Sequence, residues 1–377
     1  MKEKQNGRFG KCTMGRLSEL QTFYRGKRVL ITGHTGFKGG WLAFWLHALG
    51  AEIVGYALPP STTPNFFEAV KLNKKIISVL GDIRNREMIG NIFKQHQPEI
   101  VFHMAAQTLV KHSYREPVET YETNVMGTVH ILEACRTTPS VRAVVNITSD
   151  KCYENGNRKK SYVENDPMGG HDPYSSSKGC AELVTQAYIK SYFNPIEISP
   201  QHKCSLASGR AGNVIGGGDW ADDRLIPDCI RAFAANKPVI IRYPDAIRPW
   251  QHVLEPLYGY LLLAQRLYKN GRAFSGGWNF GSNNKDQKTV RWVVERIIGL
   301  WGENGSWQID PNNHPHEAPY LALDCSKARA KLGWFSRWDI SNALEKCVAW
   351  YKTLSQNKDM SKITLQQITE YEQHLDT

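Results

Sequence analysis

Arg28-Val29-Leu30-Ile31-Thr32-Gly33-His34-Thr35-Gly36-Phe37-Lys38-Gly39 passes from an apolar run through glycines at every third position into an amphipathic stretch. The apolar run predicts a short buried strand over residues 28–32, and the stretch 37–49 predicts a helix closed by Gly50 just past its end. The glycines between them let backbone N–H groups approach a pyrophosphate at the positive end of that helix. A glycine triplet alone is weak evidence; a strand directly before it and a helix directly after supply the context that gives it meaning.

Outward from this segment, strands are expected at 52–56, 76–80, 99–103, 141–148 and 205–210. Helices are expected between them at 84–95, 117–136 (with Pro117 in its first turn) and 174–192. This rhythm defines an α/β protein with a Rossmann-like doubly wound parallel sheet covered on both faces. The last third is less regular, with Gly216-Gly217-Gly218-Asp219-Trp220 and helices at 290–300 and 340–354. It reads as a smaller C-terminal substrate-binding lobe closing over the carboxyl edge of the sheet, where ligands bind in such folds. The expected organisation is a flexible tail over 1–22, a dinucleotide-binding domain over 23–210 with later contributions from about 248–282, and a lobe that is mainly 211–377.

The net charge of +11 admits nucleic acid, an anionic surface or a phosphorylated small molecule. Lys and Arg are scattered, with Lys74-Lys75 and Lys159-Lys160 the nearest to clusters, which points to a diphosphate-bearing ligand and away from nucleic acid. None of the 8 cysteines forms a C-x-x-C pair and no His cluster completes a zinc pattern, so no metal is expected. No signal peptide opens the chain, and the uncharged run 39–51 is too short to span a bilayer. Reduced thiols, a cytoplasmic location and no membrane association are the resulting expectations.

Two features qualify the dinucleotide reading. The second strand ends Gly55-Tyr56-Ala57-Leu58-Pro59, without the acid that commonly holds ribose hydroxyls, so this position does not decide between NAD and NADP. Asp82 after the third strand fits an adenine contact and equally a helix N-cap. Further along, Tyr174-Ser175-Ser176-Ser177-Lys178 opens a helix, and the i, i+4 spacing places both end residues on one face. A Lys ammonium near a phenol favours phenolate, so the Tyr174 pKa is expected below its free value of about 10.

Thr32-Gly33-x-x-Gly36-x-x-Gly39, His103-Met104-Ala105-Ala106, Asn124-Val125-Met126-Gly127-Thr128, Ser149, Tyr174 and Lys178 together resemble the extended short-chain dehydrogenase/reductase family over about residues 27–350. Residues 32–39, 148–153 and 209–220, with Arg248-Pro249-Trp250-Gln251-His252-Val253, are similar to its nucleotide-sugar 4,6-dehydratases. The resemblance implies NAD as cofactor, CDP-glucose or a similar sugar nucleotide as substrate, and a homo-oligomer, dimer or tetramer. It implies cofactor contacts from Gly33, Thr35, Gly36, Phe37, Gly39, Asp82, Ile83, Ala105, Ala106, Asn124, Tyr174 and Lys178. Asn213, Arg224 and Arg248 are the candidates for the substrate diphosphate, since Arg forks match phosphate geometry. Trp220 and Trp250 could flank the base or fill core; His112 and His252 read as structural.

The chemistry fits these residue types. Water cannot easily leave across C5 and C6 of a hexose until C4 becomes a ketone, which makes the C5 proton acidic. Tyr174, Lys178 and Ser149 suit the oxidation at C4. Asp150 and Lys151, the adjacent ionisable pair beside Ser149, suit the acid and base of the elimination, with Lys151 taken as base and Asp150 as acid. Related thymidine-linked enzymes carry Glu where Lys151 stands, and a Lys base must be held neutral by burial or positive charge, so the reverse assignment stays open. A sugar-nucleotide C4 epimerase would share everything except the need for that pair.

Overall fold

The computed structural model describes residues 15–155, 160–193, 204–302, 305–312 and 321–376. Seven strands form its central sheet: β1 (Arg28–Thr32), β2 (Glu52–Ala57), β3 (Ile77–Leu80), β4 (Ile100–His103), β5 (Ala143–Ile147), β6 (Ser205–Ala211) and β7 (Gly276–Phe280). They lie in the order β7-β6-β5-β4-β1-β2-β3, and every pairing is parallel. Strand order reverses between β1 and β4, so their carboxyl ends open the crevice where such sheets bind ligands. The doubly wound sheet is therefore as expected, with β7 as an added edge strand.

The principal helices are α1 (Arg16–Tyr24), α2 (Phe37–Ala48), α3 (Arg86–His96), α4 (Gly127–Arg136), α5 (Pro173–Ser191), α6 (Leu225–Ala234), α7 (Leu254–Asn270), α8 (Val290–Trp301), α9 (Ile340–Ser355) and α10 (Met360–Gln373). Alternation along the strands divides the core between the two faces. Val29, Ile31, Ile100, Phe102 and Val145 join α2 and α7 on one side. Leu30, Val101 and Val144 join α3 and α4 on the other.

Three expectations need correction. The tail boundary at residue 22 is too late: residues 16–24 form α1, with Leu20 and Tyr24 buried and the Tyr24 hydroxyl donating to the Leu261 carbonyl at 2.7 Å. Basic residues around those few apolar ones mask the pattern in sequence; residues 1–14 of that expected tail lie outside the described residues. The helix expected over 117–136 is interrupted by a π-helical segment, Glu122–Met126, which rotates Asn124 into the interior. Not all of the last third covers the sheet's mouth, because α9 and α10 reach back to the first half: Trp45 Nε1 donates to Glu372 at 2.8 Å, and Ser361 Oγ to the Val70 carbonyl at 2.7 Å.

The lobe beyond β6 is built from short pairings. Val214–Ile215 runs parallel to Gln251–His252, and Ile247–Pro249 antiparallel to Gln287–Thr289. The helix α5 is joined to the sheet by a buried fork. Arg210 on β6 donates through Nε and Nη2 to the two carboxylate oxygens of Glu182 on α5, at 2.9 and 2.7 Å, and both side chains are fully buried. Ser208 and Thr148 also donate to Glu182, while Arg210 Nη1 donates to the Tyr153 hydroxyl and the Glu164 carbonyl. Burial alone would raise the Glu182 pKa; the Arg210 guanidinium and these hydrogen bonds hold it below the usual range.

Arg210→Met would strand the Glu182 carboxylate without its counter-charge, which should cost roughly 3–5 kcal/mol of stability. Denaturant unfolding checks this; a loss well under 1 kcal/mol would show that the pair does not hold α5 to the sheet.

Candidate active site

The glycine loop joins β1 to α2 as read from the sequence. Gly33 has φ of +78°, and a Cβ there would lie 2.8 Å from the Ala105 nitrogen. A Cβ on Gly39 would lie 2.1 Å from the Gly33 carbonyl oxygen, so Gly39 permits the close packing of helix on loop. Gly36 differs: its Cβ would meet nothing closer than the Gly33 carbonyl oxygen at 3.4 Å, and no side chain caps the helix start there. The protein thus leaves room above Gly36, with the positive end of α2 directed into it, as an anionic diphosphate requires.

The rest of the crevice is braced by buried polar contacts. Thr35 Oγ1 donates to the Leu58 carbonyl at 2.8 Å, tying the loop to the end of β2. Phe37 packs where a Cβ on Gly216 would lie 2.9 Å from its ring. The Thr32 hydroxyl pairs with His103 Nδ1 at 2.7 Å and accepts from the Met104 and Ala105 nitrogens. Burial lowers the His103 pKa to about 3, so this staple between β1 and β4 is neutral. Ala105 and Ala106 follow β4 at the switch point. Asn124 donates to the Gln107 carbonyl and to Ser177 Oγ, both at 2.9 Å, and accepts from the Gln107 nitrogen. Its side chain is occupied in clamping the post-β4 loop to α5, so it positions the crevice wall instead of reaching into the crevice.

At the β2–β3 end, Asp82 is neither a free carboxylate nor a helix cap. It accepts from the Arg84 nitrogen and guanidinium, while Asn85 caps α3. The adjacent Ile83 is buried against Gly127, and Tyr56 donates to the Asp82 carbonyl at 2.8 Å. At the end of β2, Gly55 admits no side chain, because a Cβ there would lie 2.2 Å from the His34 ring.

The chemical cluster gathers where β5 ends. Asp172 caps α5 by accepting from the Ser175 nitrogen, with Pro173 in the first turn, placing Tyr174 and Lys178 on successive turns. Ser149 accepts from the Lys151 nitrogen at 3.2 Å and donates to Asp150 Oδ1 at 3.0 Å, and it lies close enough to Tyr174 to act on its phenol. Asp150 is 4% exposed. A Cβ on Gly212 would fall 2.9 Å from its Oδ2, so that glycine makes space for the carboxylate. Burial raises the Asp150 pKa against the opposing pull of Lys151, Ser149 and Arg248, which suits a proton donor. Lys151 itself is exposed.

The expected lowering of Tyr174 is not found. Burial pushes its pKa up to about 12, ahead of the lowering by the neighbouring Ser149, and Lys178 is itself lowered to about 8 by burial. Desolvation outweighs the attraction that i, i+4 spacing suggested, because both groups sit in the same dry wall.

Of the diphosphate candidates, Arg248 lies close enough to Asp150 to act on its charge. Arg224 donates to Asp219 at 2.9 Å and reaches Thr108 at 3.4 Å, so part of its fork serves to join lobe and sheet. Asn213 follows β6, its carbonyl accepting from the Gln251 nitrogen. Trp250 is core, donating to the Lys288 carbonyl, and Trp220 packs edge-on against Tyr351. His112 pairs with Glu119, and buried His252 is lowered to about 3.

Lys38 was missed. It stands in the first turn of α2, donates to the Tyr260 hydroxyl at 3.2 Å, and shares the electrostatic neighbourhood of Arg224, Lys178 and Asp150. A lysine at the positive end of a helix runs against the helix dipole, and that mismatch was visible in the sequence. Glu182 also escaped notice, although it continues the Tyr174, Lys178 stripe at the next i, i+4 step.

A parallel sheet with a glycine loop at its switch point, a Ser at the end of β5 and a Tyr–Lys pair on the facing helix define a protein of the short-chain dehydrogenase/reductase class. The chain belongs to the GDP-mannose 4,6 dehydratase family, whose model matches residues 30–347. It is 56% identical over 351 residues to the CDP-glucose 4,6-dehydratase of Salmonella typhimurium, covering 93% of this chain and 98% of that protein. Among solved structures it shares its fold with the UDP-glucose 4-epimerase of Thermotoga maritima with UDP-glucose (TM-score 0.74, 21% identity, 87% of this chain and 99% of the other). It shares it also with the dTDP-glucose 4,6-dehydratase of Bacillus anthracis in complex with NAD (TM-score 0.71, 23% identity, 89% and 100%).

Gly36→Val should leave the melting temperature nearly unchanged, because the protein has room for the side chain, yet abolish binding of a nicotinamide dinucleotide in titration calorimetry. Retained binding would remove the diphosphate from this loop. Burial first, then the Arg224 and Lys178 charges, lower Lys38 from 10.5 to about 7. Between those values the unfolded chain binds more protons than the folded one, so this group makes stability rise with pH across that window. Lys38→Met should therefore raise the melting temperature at pH 7, and the gain should narrow at pH 9; a gain independent of pH would contradict a buried, depressed lysine.

Proposed function

We propose that this chain is an NAD-dependent hydro-lyase that converts CDP-glucose to CDP-4-keto-6-deoxyglucose and water. The observation that carries the reaction type is the hydrogen-bonded pair Ser149 and Asp150 beside Lys151 at the end of β5, with Tyr174 next to it. It joins groups suited to oxidation at C4 with an acid suited to elimination at C6. The cytidine nucleotide and the glucose are supported by the identity to the Salmonella enzyme over nearly the full length of both chains.

NAD fits the residues present: the space above Gly36 would be filled by a side chain, and α2 directs its uncapped positive end there. Gly33, Thr35, Gly36, Phe37 and Gly39 would hold its diphosphate, and Asp82 with Ile83 would flank the adenosine end. The chemistry supplied there is reversible hydride transfer, from C4 of the sugar and back to C6.

In this reading Tyr174 takes the proton of the C4 hydroxyl while Ser149 orients the C4 oxygen. Lys178 and Asn124 fix Tyr174 and the crevice wall. Lys151 removes the C5 proton once C4 is a ketone and later returns it. Its exposure in the open crevice is compatible with that role only if bound sugar covers it, since a base must be neutral. Asp150, whose pKa burial raises, delivers its proton to the C6 hydroxyl, which leaves as water. Arg248, with Arg224 and Asn213, would bind the substrate diphosphate.

A homo-oligomer, dimer or tetramer, is part of this reading. Its support is the exposed apolar surface of Val118 and Leu183, on packed neighbouring helices. Among the described residues no helix is long and apolar enough to cross a membrane, and we assign the protein to the cytoplasm.

CDP-glucose deuterated at C4 should give product carrying the label at C6, read by NMR, with no net consumption of NAD. Label found back at C4 with inverted configuration would establish an epimerase, and label lost to solvent would exclude both.

A further inference from the structure

The two carboxylate oxygens of Asp150 have different surroundings. Oδ1 accepts from the Ser149 hydroxyl at 3.0 Å. Oδ2 lies over Gly212, 2.9 Å from where a Cβ would stand on that residue. A Cβ cannot sit so near a heavy atom, so the carboxylate and a side chain at 212 exclude each other. Gly212 is not among the glycines at positive φ, so its backbone does not call for glycine. What the missing side chain provides is space.

Building on the dehydratase reading above, we propose that Gly212 is a positioning residue for the elimination step, seating Asp150 so that Oδ2 carries the acid proton. Oδ1 already accepts a hydrogen from Ser149, so the proton of the acid belongs on Oδ2. The seat has a second wall in Pro249, whose Cγ lies 3.5 Å from the same Cβ position. Neither wall gives way easily. Gly212 continues β6, where Ala211 pairs with Phe280 of β7 and Arg210 is locked in its fork with Glu182. The next carbonyl, that of Asn213, accepts from the Gln251 nitrogen at 3.0 Å. Pro249 ends a strand paired with Gln287. A side chain at 212 therefore displaces the carboxylate, which can turn about its own single bonds.

The consequence for the chemistry is selective. In its seat Asp150 is buried, and burial raises its pKa against the pull of Lys151, Ser149 and Arg248. Turned out of the seat, the carboxyl leaves Ser149 and its dry surroundings, ionises more readily and becomes a poorer proton donor to the C6 hydroxyl. Oxidation at C4 relies on Tyr174 and Lys178, which stand on α5 and do not touch the seat. Gly212 thus serves the elimination and leaves the oxidation alone.

Kinetics of the NAD-loaded enzyme with CDP-glucose test this. Gly212→Ala should lower kcat roughly tenfold or more, a share of what losing a general acid costs, and leave KM within about twofold of the parent. The fraction of cofactor held as NADH during turnover, read by its absorbance, should rise, because the C4 ketone forms and then waits. Unchanged kcat, with or without a raised KM, would overturn this role for Gly212. Equal loss of C4 oxidation and elimination would do the same. A second comparison decides the matter even where Gly212→Ala alone fails to fold. Asp150→Ala empties the seat, so Gly212→Ala added to Asp150→Ala should leave the melting temperature of that variant unchanged. A lower melting temperature in the double variant would show that the space serves something other than the carboxylate. Failure of the underlying reading is distinct: it appears in the parent enzyme as loss of C4-to-C6 label transfer, which a failed role for Gly212 leaves intact.

Discussion

The fork between Arg210 and Glu182 joins three parts of the molecule that the chemistry needs held together. Glu182 belongs to α5, the helix that carries Tyr174 and Lys178. Arg210 belongs to β6, and Thr148, which also donates to Glu182, immediately precedes Ser149. Through Tyr153 the same guanidinium reaches Asn279 on the edge strand β7. Two fully buried charges are costly to desolvate, and they persist here because every polar atom of the carboxylate is engaged. What the pair provides is registry: it sets the distance between the helix bearing the phenol and the strand end bearing the serine and aspartate.

The same dryness that makes that fork strong sets the acid–base character of the site. Burial raises Tyr174 and Asp150 and lowers Lys38 and Lys178. Each of these shifts favours the uncharged form of its group. A carboxyl raised by burial and a lysine lowered to about 7 are suited to exchanging protons more than to forming an ion pair. The protein gives up electrostatic stability at this place and retains groups poised to exchange protons.

The switch point between β1 and β4 supplies the other half of the arrangement. A neutral histidine, His103, and Thr32 close the strand ends from within, and the π-helical turn at Asn124 clamps the next loop against α5. The crevice walls are therefore fixed by hydrogen bonds between buried neutral groups. The floor is open at Gly36, where the chain withholds a side chain and a helix cap alike.

Local patterns were enough to read much of this protein. The parallel sheet follows from short apolar runs alternating with amphipathic ones, and the glycine loop from its place between a strand and a helix. The Tyr174, Lys178 pair follows from helical spacing, because each of these depends on neighbours in sequence. Three features depended on contacts between distant segments and were not legible. Helix α1 is stable because Tyr24 meets Leu261, far along the chain. The Tyr174 pKa rises because walls from several elements exclude water, which outweighs the attraction of a lysine one turn away. Tyr174 comes beside Ser149 and Asp150 because α5 is docked on the end of β5. Composition and periodicity determine which elements form and which chemical groups are present. Desolvation and through-space hydrogen bonding arise only when remote elements pack, and they decide which of those groups are charged and which can pass a proton to one another.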